Sequence, residues 1–185
     1  MENLFSLLSS IEDVKDKERP PIHLWQPDIV KDIDLTIRRN GDWYYEGSII
    51  KRQRLVHLFA SVLKREQDGD YYLITPVEKC RIVVEDVPFL FLLMEVEGKG
   101  KEQRLSLTSN TGEQVTISKD SPLFFRQDSQ SDVMIPYVTI RDGLVGKLNR
   151  NVYYQLAELL VSNEIDGEEQ FGIWSCGHFM VFPSE

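Results

Sequence analysis

The chain has 185 residues, of which 42% are hydrophobic, enough to form one large domain or two small ones. Thirty acidic residues against twenty-one basic ones give a net charge of −9, which argues against a protein that wraps the phosphate backbone of nucleic acids. The longest apolar run, 87–94, contains a proline and is far shorter than the roughly 20 residues that span a bilayer, so we expect no membrane partner. A small anionic ligand is compatible with this charge.

The N-terminal segment carries apolar residues at helical spacing, with charged residues on the other side. The apolar positions are Leu4, Leu7, Leu8, Ile11 and Val14. This pattern predicts an amphipathic helix in residues 1–19, ended by Pro20 and Pro21. The first residues lack the basic stretch of a secretory signal, and we therefore expect a cytoplasmic protein. Cys80 and Cys176 are expected to be buried free thiols, since two cysteines make no disulfide framework.

Residues 20–86 are predicted to form an α+β domain. Its predicted elements are strands over 34–38 and 43–46, a helix over 50–65, and strands over 71–74 and 81–84. Asn40-Gly41 is predicted to supply the two positive φ angles of a tight turn between the first two strands. Asp86-Val87-Pro88 is a strong break, so we place a domain boundary between residues 86 and 87.

Residues 87–185 are predicted to form a β-rich domain with one helix. Short strands cover 89–96, 104–108, 114–117 and 123–126. Segments rich in glycine, asparagine and proline separate them, which is typical of turns. A meander of this kind curls into a roll or partial barrel.

The order hairpin, helix, strand pair occurs twice along the chain. Residues 35–41 are similar to 138–143, with a turn one residue shorter in the second copy. Ile50-Lys51-Arg52 corresponds to Leu148-Asn149-Arg150 at an offset of 98. We therefore predict a duplicated motif, with the meander inserted before its second copy. Chance similarity between common β-β-α-β patterns is the alternative.

Both copies concentrate basic residues within this acidic chain. Between positions 38 and 65, seven basic residues stand against two acidic ones, and the second copy repeats the excess more weakly. Each copy places an arginine, Arg52 or Arg150, at the start of its helix, where the helix dipole disfavours a cation. A helix N-terminus with a neighbouring arginine favours a bound anion such as a phosphate. The alternative is that these arginines pair with nearby acids such as Glu46 or Asp142.

The sequence shows no established pattern for catalysis or metal binding. The three histidines lack the spacing of a zinc site, and no glycine-rich phosphate loop precedes a helix. Residues 172–177 predict a turn with Trp174 in the core and Gly177 at positive φ. A nucleophile elbow is excluded there because Ser175 stands three residues after Gly172 instead of two. We therefore predict no catalytic residue and no metal ligand, and assign no cofactor.

An ordered series of motifs from about Pro20 to the C-terminus carries a family resemblance. The motifs include Pro21-x-His23-Leu24-Trp25-x-Pro27, Gly41-x-Trp43-x-Tyr45-Glu46-Gly47-Ser48, Leu73-Ile74-Thr75-Pro76-Val77-Glu78-Lys79, Thr108-Ser109-Asn110-Thr111-Gly112-Glu113 and Pro136-Tyr137-Val138-x-Ile140-Arg141. They are similar to the uncharacterised bacterial family catalogued as domain of unknown function 1285. Lys31 and Lys51 depart from the pattern, which favours glycine at both positions. Lys51 either blocks the approach of a ligand or adds a second positive contact.

The resemblance implies an α+β protein of two domains with a repeated motif. It implies that the C-terminal domain is similar to a pleckstrin-homology barrel and that a ligand site lies at the domain interface. It also implies a nucleotide-like ligand and a role in signal transduction, with no established activity.

Taken together, residues and resemblance predict a cytosolic binding or sensory module that holds a small anionic ligand between its halves. Arginines would supply charge, and Trp43 or Tyr45 a stacking surface. The candidate ligand-binding residues are Arg38, Trp43, Tyr45, Arg52, Glu78, Lys79, Arg141, Asn149 and Arg150. Two alternatives stay open. One is a hydrolase or transferase that uses Asp34 and Glu78 with a divalent metal, and the other is a protein-protein adaptor that uses the N-terminal helix and a sheet edge.

Overall fold

A computed structural model of the protein describes residues 20–128 and 133–183. The helix predicted in 1–19 lies outside the described residues. The chain divides after Pro88 into an N-terminal and a C-terminal unit, two residues beyond the boundary that the sequence predicts. No helix in the described part of the chain has the length and hydropathy needed to cross a membrane.

The N-terminal unit is built on one six-stranded sheet. Its elements are β1 (Ile29–Ile37), β2 (Trp43–Tyr45), β3 (Ser48–Ile49), α1 (Gln53–Ser61), β4 (Leu63–Arg65), β5 (Tyr71–Ile74) and β6 (Glu78–Val84), after a short 3-10 turn at Ile22–Leu24. The strand order is β3-β2-β1-β6-β5-β4, and only the β1–β6 pair is parallel. Two neighbouring strands that run parallel need a long connection. Between β1 and β6 this connection contains β2, β3, α1, β4 and β5.

Alternating burial on β1 and one apolar face of α1 build the core of this unit. Leu35 and Ile37 point inward from β1, two residues apart as the pleat requires. Val56 and Phe59 lie on the buried face of α1. Phe59 stacks on Trp43 with 6.2 Å between ring centroids, so the helix is held against the β1–β2 hairpin.

The C-terminal unit contains a six-stranded sheet, a helix and a three-stranded sheet. Its elements are β7 (Phe89–Glu97), β8 (Arg104–Ser109), β9 (Gln114–Thr116), β10 (Leu123–Gln127), β11 (Met134–Arg141), β12 (Leu144–Leu148), α2 (Arg150–Ala157), β13 (Val161–Ile165), β14 (Glu168–Ser175) and β15 (His178–Val181), with a 3-10 turn at Gly100–Glu102. The strand orders are β10-β11-β12-β7-β8-β9 and β13-β14-β15. Register shifts in the β7–β8 and β11–β12 pairs bend the larger sheet, as expected for a roll.

One apolar cluster and one buried hydroxyl join the two sheets of this unit. Val152 and Leu156 of α2 pack in the same core as Phe91 of β7 and Ile173 of β14. The fully buried Ser175 hydroxyl donates to the Ile117 carbonyl at 2.6 Å and accepts from the Leu105 amide at 3.1 Å. The hydroxyl therefore has a hydrogen-bond partner both as a donor and as an acceptor within the core.

The predicted fold class is confirmed: the protein is α+β, with two units that share a repeated motif. Each unit contains a hairpin, a helix and a meander of three strands in the same order. In the first unit these are β1–β2, α1 and β4–β6, and in the second they are β11–β12, α2 and β13–β15. Strands β7 to β10 precede the second copy, as the sequence predicts.

Two predictions about the helices are wrong in detail. The helix predicted over 50–65 covers only Gln53–Ser61, because Leu63 instead pairs with Leu73 in the β4–β5 ladder. The predicted offset of 98 is one residue too long for the helix starts. Arg52 is the residue before α1, whereas Arg150 is the first residue of α2.

The two hairpin turns differ from each other, which corrects a further prediction. Only Gly41 has positive φ in the first turn, because residues 38–42 form a longer loop closed by the Arg38 amide and the Asp42 carbonyl. Asp142 and Gly143 in the second turn both have positive φ, as a two-residue hairpin turn requires.

Three predictions concern single side chains or turns in other strands. Trp174 is half-buried rather than in the core. Gly177 has the predicted positive φ, of 74°. Cys80 is a buried free thiol as expected, but Cys176 is exposed because it stands at the tip of the β14–β15 turn.

Candidate functional site

The predicted ligand-binding residues are distributed over both units. Those in the N-terminal unit are Arg38, Trp43, Tyr45, Arg52, Glu78 and Lys79, and those in the C-terminal unit are Arg141, Asn149 and Arg150. The structure brings only some members of each set together. The burial of each side chain and its hydrogen-bond or ion-pair partners then show which of these residues have a structural role and which are available to a ligand.

The candidates of the N-terminal unit do not form one cluster. Glu78 is opposite Ile29, the first residue of β1, whereas Arg38 directly follows the last residue of that strand. The nine residues of β1 therefore separate them by about 30 Å. The Arg38 guanidinium lies 3.8 Å from the centroid of the Tyr44 ring. One small ligand cannot contact both ends of this strand.

Trp43 has no role as a stacking surface in this structure, which corrects the prediction. Its side chain is 1% exposed and its ring packs on Phe59. The indole N–H has no hydrogen-bond partner among the described residues. Tyr45 is half-buried, and burial together with a hydrogen bond to Glu46 raises its pKa. The stacking role of Tyr45 stays a prediction.

Glu78 is a buried carboxylate with a cationic partner. It is 3% exposed, and one carboxylate oxygen accepts a hydrogen bond from the Lys31 ammonium. Within the described residues, its other oxygen has no hydrogen-bond partner. The hydrogen bond to Glu78 raises the pKa of Lys31. Lys79 points elsewhere, with its ammonium 4.8 Å from the centroid of the Tyr72 ring.

Arg141 belongs to a buried ion pair. Its guanidinium donates to Glu113 at 3.3 Å, and the two side chains are 14% and 8% exposed. Glu113 ends a turn whose amides at Thr111 and Glu113 donate to the Ser109 hydroxyl. The ion pair therefore fastens this turn to the end of β11. Arg141 has a structural role here that the sequence did not indicate.

Asn149 and Arg150 open α2, and each has a different role. The Asn149 side chain accepts a hydrogen bond from the Val152 amide at 2.8 Å, which is the usual geometry of a helix cap. Arg150 is exposed and has no ion-pair partner within residues 20–128 and 133–183. The same is true of Arg52 before α1. The alternative that these two arginines pair with nearby acids is therefore wrong for the described residues.

A groove of about 400 Å³ lies beside Arg150. We call it the tyrosine groove; it is lined by Asp128, Val133, Met134, Ile135, Pro136, Lys147, Leu148, Arg150, Tyr153 and Tyr154. Its walls come from β11, β12 and the first turns of α2. The volume falls in the range of small-molecule sites. Of all the predicted candidates, Arg150 is the one that lines this groove.

The tyrosine groove combines positive charge with exposed aromatic surface. Tyr154 is 57% exposed, and its ring centroid lies 6.1 Å from that of Tyr153. Among the described residues that line it, Lys147 and Arg150 give two cations against one acid, Asp128. Sequence reasoning missed both tyrosines as site residues. The signal was present, because Arg150, Tyr153 and Tyr154 have the spacing that places residues on one helix face.

A cavity on the sheet of the N-terminal unit contains none of the predicted residues. It measures about 510 Å³ and lies on the strands β1, β5 and β6. Arg81 crosses it and forms ion pairs with Asp32 at 2.6 Å and with Asp70 at 3.4 Å. Among the described residues, no group of three or more histidine, cysteine, aspartate or glutamate side chains is placed to hold a metal ion.

Comparison with known proteins assigns the chain to a family. Residues 20–87 match the model described as "Domain of unknown function (DUF1285), N-terminal domain", and residues 88–182 match "Protein of unknown function (DUF1285), C-terminal domain". A search of the curated proteins finds no match.

Two solved structures are similar to the chain. A DUF1285 family protein from Silicibacter pomeroyi DSS-3 is 40% identical, with a TM-score of 0.84 over 95% of this chain and 93% of that one. Another from Shewanella baltica OS155 is 31% identical, with a TM-score of 0.54 over 67% of this chain and 90% of that one. With both halves matched by the family models and a 40% identical relative along nearly its whole length, the chain belongs to the DUF1285 family.

Proposed function

We propose that this protein is a binding module for a small anionic ligand with a planar ring, of nucleotide-like chemistry, and that the tyrosine groove receives it. The observation that carries the proposal is Arg150, an exposed arginine without an ion-pair partner among the described residues, at the opening of α2 and beside two tyrosines. A role as a sensor in signal transduction would follow from such binding.

The groove supplies the two interactions that such a ligand needs. The Arg150 guanidinium can donate two parallel hydrogen bonds to a phosphate or carboxylate, and the N-terminal end of α2 adds a favourable dipole. The exposed ring of Tyr154 offers a face on which a base can stack. Ile135 and Pro136 of β11 add apolar groups to the lining of the same groove.

The enzyme alternative has less support in the N-terminal unit. Asp34 stands five residues after Ile29 on β1, and Ile29 is opposite Glu78. In extended chain that spacing separates the two carboxylates by about 16 Å, too far for both to bind one metal ion. Glu78 is also engaged with Lys31.

Thermal unfolding of the full chain tests the proposal. The melting temperature is measured with a panel of nucleoside mono-, di- and triphosphates and with inorganic pyrophosphate, in wild type and in Arg150→Ala. A ligand at 100 times its dissociation constant stabilises a protein by about 2.7 kcal/mol, which raises the melting temperature by several degrees. Arg104→Ala is the matched control, because Arg104 is an exposed arginine of the same unit outside the groove.

The expected result is a shift with nucleotides that Arg150→Ala abolishes and Arg104→Ala preserves. Tyr154→Ala should weaken the nucleotide shift but leave any shift with pyrophosphate unchanged, because pyrophosphate has no ring. The proposal fails if no compound changes the melting temperature of the wild type, or if Arg150→Ala keeps the full shift. The predicted location between the two halves stays a separate prediction, with Arg38 and Arg52 as its remaining arginines.

A further inference from the structure

A second groove of the C-terminal unit shares no residue with the tyrosine groove. We call it the lysine groove; it measures about 640 Å³, and its main lining residues are Val96, Lys99, Lys101, Leu160, Val161 and Trp174. One wall is the connection between β7 and β8, and the other is the end of α2 with the start of β13. The groove therefore belongs to one unit, and its volume falls in the range of small-molecule sites.

The lysine groove lies beside β14, where one neighbouring segment ends and another begins. β13 pairs with β14 as far as Val161, which is opposite Gly172. Further along β14, the Gln103 side chain donates to the Trp174 carbonyl at 2.7 Å, and the Cys176 amide donates to the Gln103 carbonyl at 2.8 Å. Both walls are thus fixed to the same strand. A groove that is already formed binds a ligand without the entropy cost of ordering it first.

The groove exposes apolar side chains that have no cover in the described residues. Val96 is 44% exposed and Val161 is 45% exposed. Trp174 is half-buried, and Leu160 adds a further apolar side chain to the lining. Apolar groups in a concave surface favour a ligand that brings apolar area of its own, because both areas then leave water.

The same groove carries positive charge. Lys99 and Lys101 are exposed, and neither has an ion-pair partner within residues 20–128 and 133–183. The Lys101 ammonium lies 4.9 Å from the centroid of the Trp174 ring, a distance at which a cation is attracted to the ring face. Among the described lining residues, Glu158 is the single acid. The lysines are therefore available to an anionic group that enters the groove.

We propose that the lysine groove binds a small organic acid, whose carboxylate pairs with the two lysines and whose aliphatic chain packs on Trp174 and the two valines. An inorganic anion would lose part of its hydration there without gaining apolar contacts, and a neutral hydrocarbon would make no use of the lysines. This ligand differs from that of the tyrosine groove, because it needs neither a phosphate nor a planar ring.

Nuclear magnetic resonance of the full chain, labelled with nitrogen-15, tests this inference with octanoate as the probe. The chain has three tryptophans, and Trp174→Phe identifies the indole N–H resonance of Trp174. Octanoate should shift this resonance and leave that of Trp43, which is buried in the other unit, unchanged. Hexanoate should bind roughly tenfold more weakly, since each buried methylene group strengthens binding about fourfold. The neutral 1-octanol should bind at least tenfold more weakly than octanoate, because it lacks the charge.

Substitution of the lysines tests the charge without removing apolar contacts. Lys99→Met with Lys101→Met keeps both aliphatic stems, so it should weaken octanoate binding at least tenfold and leave the binding of 1-octanol nearly unchanged. Lys119→Met is the matched control, because Lys119 is an exposed lysine of the same unit outside the groove. It should leave the affinity for octanoate unchanged.

Substitution of a valine tests the apolar wall. Val161→Asp places a negative charge in the groove and should abolish the shift of the Trp174 resonance by octanoate. Val181→Asp is the matched control: Val181 is also 45% exposed and lies in the same cross-strand row, on the other side of Gly172, but outside the groove. It should preserve the shift. Melting temperatures of all variants verify that they fold.

Several results would overturn the proposal. The first is a Trp174 resonance that does not move at millimolar octanoate. Equal affinities for octanoate and 1-octanol, or an undiminished affinity for octanoate in the double lysine variant, would remove the role of the charge. Equal losses in Val161→Asp and Val181→Asp would place the ligand outside the groove.

Discussion

The two copies of the repeated motif complete their sheets in different ways. In the N-terminal unit, the first hairpin strand, β1, pairs in parallel with β6, the last strand of its own meander. In the C-terminal unit, the second hairpin strand, β12, pairs in parallel with β7, a strand from outside the motif. The second meander then forms a sheet of its own. The motif therefore determines its local elements, whereas the neighbouring chain determines how the sheet is closed.

The helices of the two copies show the same contrast on a smaller scale. Asn149 caps α2 by accepting a hydrogen bond from the Val152 amide, whereas the corresponding residue before α1, Arg52, makes no side-chain cap. The arginine of the second copy is one position further on and faces a groove. The two residues that directly precede the helices therefore have different roles: Asn149 stabilises its helix, whereas Arg52 leaves a cation exposed.

The largest effect should come from the strand pair that distinguishes the C-terminal unit. Because β7 lies beside β12, the Phe91 ring covers Gly146, and a Cβ atom on Gly146 would overlap that ring. Phe91 is fully buried, so its ring has little room to move. Gly146→Ala should lower the free energy of unfolding by roughly 3 kcal/mol, measured by urea denaturation.

A double-mutant cycle gives the control for this prediction. Phe91→Leu removes the edge of the ring that meets the new methyl group, so Gly146→Ala should cost much less in that background. If Gly146→Ala costs the same in both backgrounds, the loss does not arise from the ring, and the account of this strand pair is wrong.

A smaller loss is expected from the ion pair between Lys31 and the buried carboxylate of Glu78 in the N-terminal unit. Lys31→Met leaves the Glu78 carboxylate buried without its cation, whereas Glu78→Gln leaves a neutral amide beside an ammonium that is 38% exposed and can turn to water. Lys31→Met should therefore destabilise the protein more than Glu78→Gln, as measured by the urea midpoint. The reverse order would contradict the assignment of Glu78 as the desolvated partner.

The next prediction compares the residues that precede the helices of the two copies. Asn149→Ala removes a cap and should cost about 1 kcal/mol, whereas Arg52→Ala removes none and should be close to neutral. Arg52→Asn should give α1 the cap that it lacks and raise its stability by a similar amount. Equal losses for Asn149→Ala and Arg52→Ala in thermal denaturation would show that the cap of α2 has no special role.

Features with a local pattern were predictable from the sequence. The second hairpin follows from alternating residues and Asp142-Gly143, whose conformation is that of a two-residue turn. The helices follow from apolar spacing, and the duplication follows from the order of elements. β4 was missed because Leu63 satisfies two patterns at once: it continues the apolar face of α1, and it also pairs with Leu73. Only the partner strand decides between these two positions.

The candidate site was predictable only in part, because its geometry depends on contacts distant in sequence. Arg150 stands out by its charge and its place before a helical pattern, but Pro136 of β11 shares its groove only through the fold. Arg141 has the same charge and is nevertheless engaged by Glu113, 28 residues away. From the sequence, Trp43 is a candidate for stacking on a ligand, yet in the structure its ring stacks on Phe59. Charge and residue type do not reveal which side chains are already paired.

The prediction with the smallest effect at neutral pH concerns the two cysteines, one in each unit. Burial raises the pKa of Cys80 from 9.0 to about 11, while Cys176 is exposed. A disulfide reagent at pH 8 should therefore modify one thiol of the native protein rapidly and the second only on unfolding. In the unfolded chain the Cys80 thiol ionises first, so its burial stabilises the protein fully below about pH 9, and this contribution is lost as the pH rises toward 11. The stability difference between wild type and Cys80→Ala should narrow over that range, and a difference that does not change with pH would contradict the burial of this thiol.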